Sequence, residues 1–111
     1  LKLSDIDTWT QFDFNENSSF TIELIIKAEE PDNSQFLVGR PYQTNWPQWL
    51  LKLEKDGTVS FRIDDDEDFA FIKTKASVTD NKWHHIAAVR DRDTKKLKIY
   101  IDGQLSNEVG Q

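Results

Sequence analysis

Apolar and polar positions alternate along most of this chain. In "FTIELIIKA" (residues 20–28), Phe20, Ile22, Leu24, Ile26 and Ala28 fall on one face, while Thr21, Glu23 and Lys27 fall on the other. A period of two predicts a strand with one buried side. "QFLVGR" (residues 35–40) reads as a second short strand. "WLLKLEKDGTVSFRI" (residues 49–63) predicts a hairpin. Trp49, Leu51 and Leu53 alternate inward, Asp56-Gly57 supplies a turn with both residues expected at positive φ, and Val59, Phe61 and Ile63 alternate on the return. "FAFIK" (residues 69–73) follows a carboxylate run.

In "KWHHIAAVRD" (residues 82–91), Trp83, His85, Ala87 and Val89 share one face and His84, Ile86, Ala88 and Arg90 the other. "DRDTKK" then turns the chain, "LKIYIDG" aligns Leu97, Ile99 and Ile101, and Asp102-Gly103 is a further turn signal. Nothing has helical periodicity beyond one turn. Strands recurring every ~8–12 residues predict an all-β fold, an antiparallel sandwich or barrel. The expected core is Leu24, Ile26, Leu51, Leu53, Phe61, Trp83, Val89, Ile99 and Ile101.

Composition narrows the function. The 111 residues make one domain (1–111), and seven Phe and four Trp give it enough apolar bulk for one core. The net charge of −6, with no basic stripe, argues against nucleic acid and anionic membrane as partners. No apolar run is long enough to insert in a bilayer. The chain starts at Leu1 without any Met, as expected of a processed chain or an excised piece. Without Cys there is no disulfide framework, thiolate zinc site or catalytic thiol, which suits a bacterial extracellular domain and equally a cytosolic one.

The adjacent His84 and His85 invite a metal or acid–base reading. Successive strand residues point to opposite faces, so the two imidazoles cannot chelate one ion. There is no other His or Cys to complete a zinc site, and no Ser sits on a nucleophile-type turn. The expected arrangement is one half-buried and one solvent-side imidazole on a central strand.

"KWHHIAAVRDRDTKKLKIYIDGQL" resembles the signature hairpin of laminin-G-like domains, members of the concanavalin A-like lectin/glucanase group. "SFTIELIIKA" is similar to another strand of that family, with Ile25 in place of its usual aromatic residue, and "FLVGR" with residues 49–63 resembles the next strand and hairpin. The resemblance runs from about Ser19 to Leu105. It implies an antiparallel jelly-roll β-sandwich. It also implies a non-catalytic module, extracellular or at the cell surface, that binds a glycan or a protein ligand. Family members continue past the Asp-Gly hairpin with closing strands, whereas this chain stops at Gln111. The jelly roll is therefore expected to be incomplete at its C-terminus, with the missing strands supplied by the rest of a parent chain or by a second subunit. An assembly role through the open sheet edge is the alternative function.

Two segments outside the strand pattern carry candidate chemistry. "RPYQTNWPQW" (residues 40–49) is a loop in which Tyr42 and Trp46 can stack on a sugar, with Arg40, Gln43 and Asn45 as hydrogen-bond donors to its hydroxyls. The competing reading has Trp46 fold back to cap the core. The second segment is "DDDEDF" (residues 64–69). Asp64, Asp66 and Asp68 could hold calcium, which takes six to eight oxygen ligands, but the order does not fit an EF-hand and a solvated turn explains the run as well. Arg62, Lys73 and Lys75 are at hand to neutralise it. Glucanases of the fold group carry Glu-x-Asp-x-Glu on one strand face. Asp64, Asp66 and Asp68 share that alternation, but Asp stands at both Glu positions, and five acids in a row read as a turn. A glycoside hydrolase is thus the least favoured reading.

Overall fold

The computed structural model describes residues 19–40, 48–64 and 69–110. They form eight strands: β1 (Phe20–Glu29), β2 (Gln35–Arg40), β3 (Gln48–Leu53), β4 (Val59–Asp64), β5 (Phe69–Lys73), β6 (Asp80–Asp91), β7 (Lys96–Ile101) and β8 (Gln104–Gly110). β1, β6, β7 and β8 make one four-stranded sheet, sheet A, and β2 to β5 make another, sheet B. All neighbours pair antiparallel. The chain leaves sheet A after β1, lays down sheet B as successive hairpins, and returns to pair β6 against β1. The all-β sandwich expected from the alternation is the fold observed.

The inner faces meet in one core. Trp49, Leu51, Leu53, Val59, Phe61, Ile63 and Ile72 of sheet B bury against Ile86, Ala88, Leu97 and Ile99 of sheet A. Phe20 of β1 spans the layers, its ring centroid 6.3 Å from both Trp49 and Phe61 and edge-on to the latter. Leu24, Ile26 and Ile101 point inward as expected but are only partly buried.

β6 turns inward the face opposite to the one expected from Trp83 and Val89. Ile86, Ala88 and Arg90 point inward, and Trp83 lies 67% exposed on the outer face, with Val89 half-buried there too. Register explains the choice: Arg90, Ala88 and Ile86 pair with Phe20, Ile22 and Leu24, the inner row of β1. Arg90 is only 1% exposed, so its guanidinium leaves water along with its stem, a burial that is tolerated only with partners for the charged group.

The two Asp-Gly turns differ. Asp102 and Gly103 have φ of 53° and 82°, the primed two-residue turn, between the paired Ile101 and Gln104. At the β3–β4 hairpin only Gly57 is at positive φ (85°), so the expectation for Asp56 fails. There Gly57 N–H donates to Glu54 O at 2.9 Å and Glu54 N–H to Thr58 O at 2.8 Å, a three-residue loop ending in a left-handed glycine. The Asp56 carboxylate accepts from Thr58 N–H and Oγ1–H and from Lys73 Nζ, which lowers its pKa to about 2. Those bonds draw Asp56 toward Thr58, an interaction absent from a bare Asp-Gly signal. β8 (Gln104–Gly110) adds a strand after Gly103, where the alternation predicts none.

Candidate functional site

Residues paired across an antiparallel sheet share a face, so register alone builds the outer surface of sheet B. One row runs Gly39, Leu50, Arg62, Phe71. The next runs Gln48, Asp64, Phe69. Two residues along β5, Phe69 and Phe71 lie ~6.6 Å apart and are 58% and 44% exposed. The Arg62 guanidinium carbon lies 4.6 Å from the centre of the Phe69 ring, and Nη2 donates to Asp64 Oδ2 at 3.2 Å. A cation, a carboxylate and two ring surfaces therefore meet at one end of the sheet. An exposed pair of this kind stabilises the fold by no more than about 1 kcal/mol, so its arrangement matters more for what it can contact. At the other end of the first row Gly39 makes room: a Cβ there would sit 2.7 Å from Cα and Cβ of Leu50.

The same end of the sheet anchors both segments singled out in the sequence. β2 ends at Arg40, which pairs with Trp49, and β4 ends at Asp64, which pairs with both Gln48 and Phe69. The segment bearing Tyr42, Gln43, Asn45 and Trp46 links β2 to β3, and the segment bearing Asp66 and Asp68 links β4 to β5, both at this end of sheet B. Those six residues lie outside the described residues, and of Arg40 only the backbone is described. Asp64 is described, and its partner is Arg62, one of the expected neutralising cations. Lys73 pairs with Asp56 instead, at 3.1 Å. Trp49 is core, as expected. Phe69 and Phe71 were missed as surface residues. The available signal was "FAFIK" itself, apolar on both faces, so that with Ala70 and Ile72 inward its two rings must be outside.

The histidines separate as expected, His84 mostly buried and His85 more open, on opposite faces. His84 is a structural clasp. Nδ1 lies 2.8 Å from Asp102 Oδ2 and Nε2 lies 2.7 Å from Asp80 Oδ1. The imidazolium donates to both, so the hydrogen bond to Asp102, then that to Asp80, raises the His84 pKa above 6.5, and both carboxylates are held below their ordinary range. Asp102 Oδ1 also accepts from His85 N–H at 2.9 Å, pinning the primed turn to β6. With both ring nitrogens engaged, His84 offers no lone pair to a metal. Among the described residues no cluster of three or more His, Cys, Asp or Glu is placed to hold a metal ion.

Two other surfaces compare less well. The outer face of sheet A exposes Ile25, Trp83 and Leu105, with Lys27 Nζ 6.0 Å from the Trp83 ring centre and His85 bonded to Glu23 at 3.1 Å. A groove of about 370 Å³ between β1 and β2 is lined by Leu24, Ile25, Ile26, Leu37, Val38 and Glu23, with a single ionisable group. No helix among the described residues is long and apolar enough to cross a membrane.

The fold is shared with solved structures. It is similar to mouse laminin alpha1 chain, domains LG4-5, at 21% identity and a TM-score of 0.72, over 87% of this chain and 24% of that one. It is also similar to the Ruminococcus gnavus IT-sialidase CBM40, at 22% identity and a TM-score of 0.66, over 86% of this chain and 54% of that one. The same CBM40 bound to α2,3 sialyllactose matches at 23% identity and a TM-score of 0.64, over 82% and 52%. This chain thus spans about a quarter of the laminin chain and about half of the CBM40 chains. No curated protein matches. The laminin G-type family model described as the concanavalin A-like lectin/glucanases superfamily matches residues 4–110, and the chain belongs to that family.

Proposed function

We propose that this chain is a non-catalytic, extracellular glycan-binding module whose ligand lies on the outer face of sheet B. The observation that carries the reading is the Arg62 guanidinium seated over Phe69 and bonded to Asp64, with Phe71 beside it. Sugars present apolar C–H faces and a rim of hydroxyls, and they need both a flat partner and oriented hydrogen-bonding groups. The site has the two exposed rings for the first and the Arg62–Asp64 pair for the second. Tyr42 and Trp46 are assigned as further stacking surfaces, with Arg40, Gln43 and Asn45 as further donors, because the segment that carries them runs into Gln48, which pairs with Asp64. Asp64, with Asp66 and Asp68 close behind it in the sequence, is the candidate calcium position. Calcium binding there is read by melting: a higher Tm in millimolar calcium, reversed by chelator, assigns the ion to the site. No step of bond cleavage is assigned to these residues.

The test is calorimetric titration of the chain with glycans, alongside Arg62→Ala and Trp46→Ala. Loss of one oriented charged donor is expected to weaken binding by about 1.5–3 kcal/mol while Tm holds. Unchanged affinity in Arg62→Ala would place the ligand elsewhere. Lost folding in Trp46→Ala would mean that Trp46 caps the core.

A second reading is favoured by the exposure of Trp83, Ile25 and Leu105 on one face of sheet A: assembly with a protein partner, against that face or along the β8 edge. It is recognised by glycan binding being absent while Trp83→Ala lowers oligomer or partner affinity.

A further inference from the structure

We infer that the Arg62–Asp64 pair selects a neutral, hydroxyl-rich sugar and discriminates against an anionic one; the inference rests on the glycan-binding reading above. An arginine over an aromatic ring could be an anion clamp, since its planar fork matches a carboxylate. Here that role is taken. Arg62 Nη2 already donates to Asp64 Oδ2 at 3.2 Å, so the cation has its counter-charge within the sheet surface. An acidic sugar would have to displace Asp64 or lie beside a second negative charge. Asp64 is also followed directly by Asp65, Asp66, Glu67 and Asp68, in a chain of net charge −6, so the potential at this end of sheet B is negative.

A neutral sugar meets no such conflict. A guanidinium has five N–H donors and a carboxylate about four acceptor sites. One bond between Arg62 and Asp64 leaves both with capacity facing outward, and their side chains are 44% and 38% exposed. Adjacent sugar hydroxyls can then accept from Arg62 and donate to Asp64. A donor next to an acceptor complements a pair of hydroxyls, and a lone cation complements a charge. Phe69 under the guanidinium fixes the donor before binding, which reduces the ordering cost. The same fold in the Ruminococcus gnavus IT-sialidase CBM40 has been seen with sialyllactose, an acidic sugar. The present chain is inferred to have the opposite charge preference.

The experiment presents the 111-residue chain to immobilised neutral oligosaccharides and to sialylated, uronate and sulfated ones, then measures the tightest neutral ligand and 3′-sialyllactose in solution. The expected ranking is neutral above acidic. Asp64→Asn is expected to weaken the neutral ligand about tenfold, the scale of one charged hydrogen bond, and to strengthen 3′-sialyllactose. Acidic ligands ranking first, or unchanged neutral affinity in a folded Asp64→Asn protein, would overturn the inference while leaving glycan binding standing. If that variant does not fold, salt decides: the neutral ligand keeps its affinity between about 0.05 M and about 0.5 M NaCl, where a charge-driven contact would be screened, and a tenfold loss over that range overturns the inference. No binding to either class overturns the glycan reading itself, and this inference with it.

Discussion

Phe61 and Phe71 lie on neighbouring strands of sheet B, one residue out of step: Phe61 pairs with Ile72, and Phe71 with Arg62. Phe61 is fully buried, edge-on to Phe20 of the opposite sheet, whereas Phe71 is 44% exposed on the outer face, cross-strand from Arg62. The side chains are identical and the strands adjacent, so the difference is one of register alone. Position on the pleat decides whether a ring contributes to folding or to recognition. The outer face of sheet A sharpens the lesson. Trp83 is a larger exposed ring with a cation near it, but Lys27 lies 6.0 Å away, and the Glu23 carboxylate on the same face is tied to His85. An aromatic ring with a nearby cation therefore occurs on both faces, but on sheet B the cation that lies over the ring is itself bonded to the carboxylate, at 4.6 Å and 3.2 Å.

Phe61→Ala should have the largest effect, because it empties the centre of the core. The expected loss is about 3–5 kcal/mol in urea unfolding, a large share of the roughly 5–15 kcal/mol of an ordinary domain. Phe71→Ala should stay within about 0.5 kcal/mol; equal losses in the two variants would break the contrast. Next comes the hairpin that sets the register, since a one-residue slip would exchange the two faces. Gly57→Val is expected to destabilise by roughly 1–3 kcal/mol from backbone strain alone, with added crowding because a Cβ there runs into Ser77 Oγ and Thr79 Oγ1. Gly103→Ala is the milder companion. Its φ of 82° is strained for alanine, but a Cβ there has no neighbour within 4 Å. The expected cost is about 1 kcal/mol, and a larger cost than that of Gly57→Val would contradict the assignment of the two turns.

The smallest effect belongs to the His84 clasp on sheet A. Because the folded-state pKa is raised above 6.5 by Asp102 and Asp80, its stabilisation is complete below that value and is lost as pH rises through the folded pKa. The two carboxylates, held low, contribute above their ordinary range and lose this on acidification. Tm should therefore fall as pH rises above 6.5 in the wild type and change less in His84→Gln. Equal slopes would remove the clasp from the account.

Much of this was legible in advance because strand period and register are local. The inward rows of β3 and β4, the span of β5 and the hairpin at Gly57 follow from alternation and a turn residue. Alternation gives two faces without saying which is inner, so β6 was turned the wrong way: Trp83 argued for one side and Ile86 for the other, and the pairing with β1, some sixty residues earlier, decided it. The candidate site was half legible for a similar reason. Residues 40–49 and 64–69 stood out as separate segments, while the pairing of Gln48 with Asp64 and of Arg62 with Phe71 is a tertiary fact that brings them together. The parting of His84 and His85 to opposite faces follows from strand alternation, but the bonds of His84 to Asp80 and Asp102 come from turn geometry that the sequence does not display.

The most direct measurement is titration of wild-type and Phe71→Ala protein with the tightest neutral oligosaccharide found for the wild type, each at matched, verified fold. Removing one stacking ring from the outer face of sheet B is expected to weaken binding by about 1–3 kcal/mol, on the scale of ring stacking against nucleobases, which is about one to two decades in Kd. Trp83→Ala on sheet A should leave Kd where it was. A Phe71→Ala protein that binds like the wild type, or a Trp83→Ala protein that loses the ligand, would contradict the placement of the site.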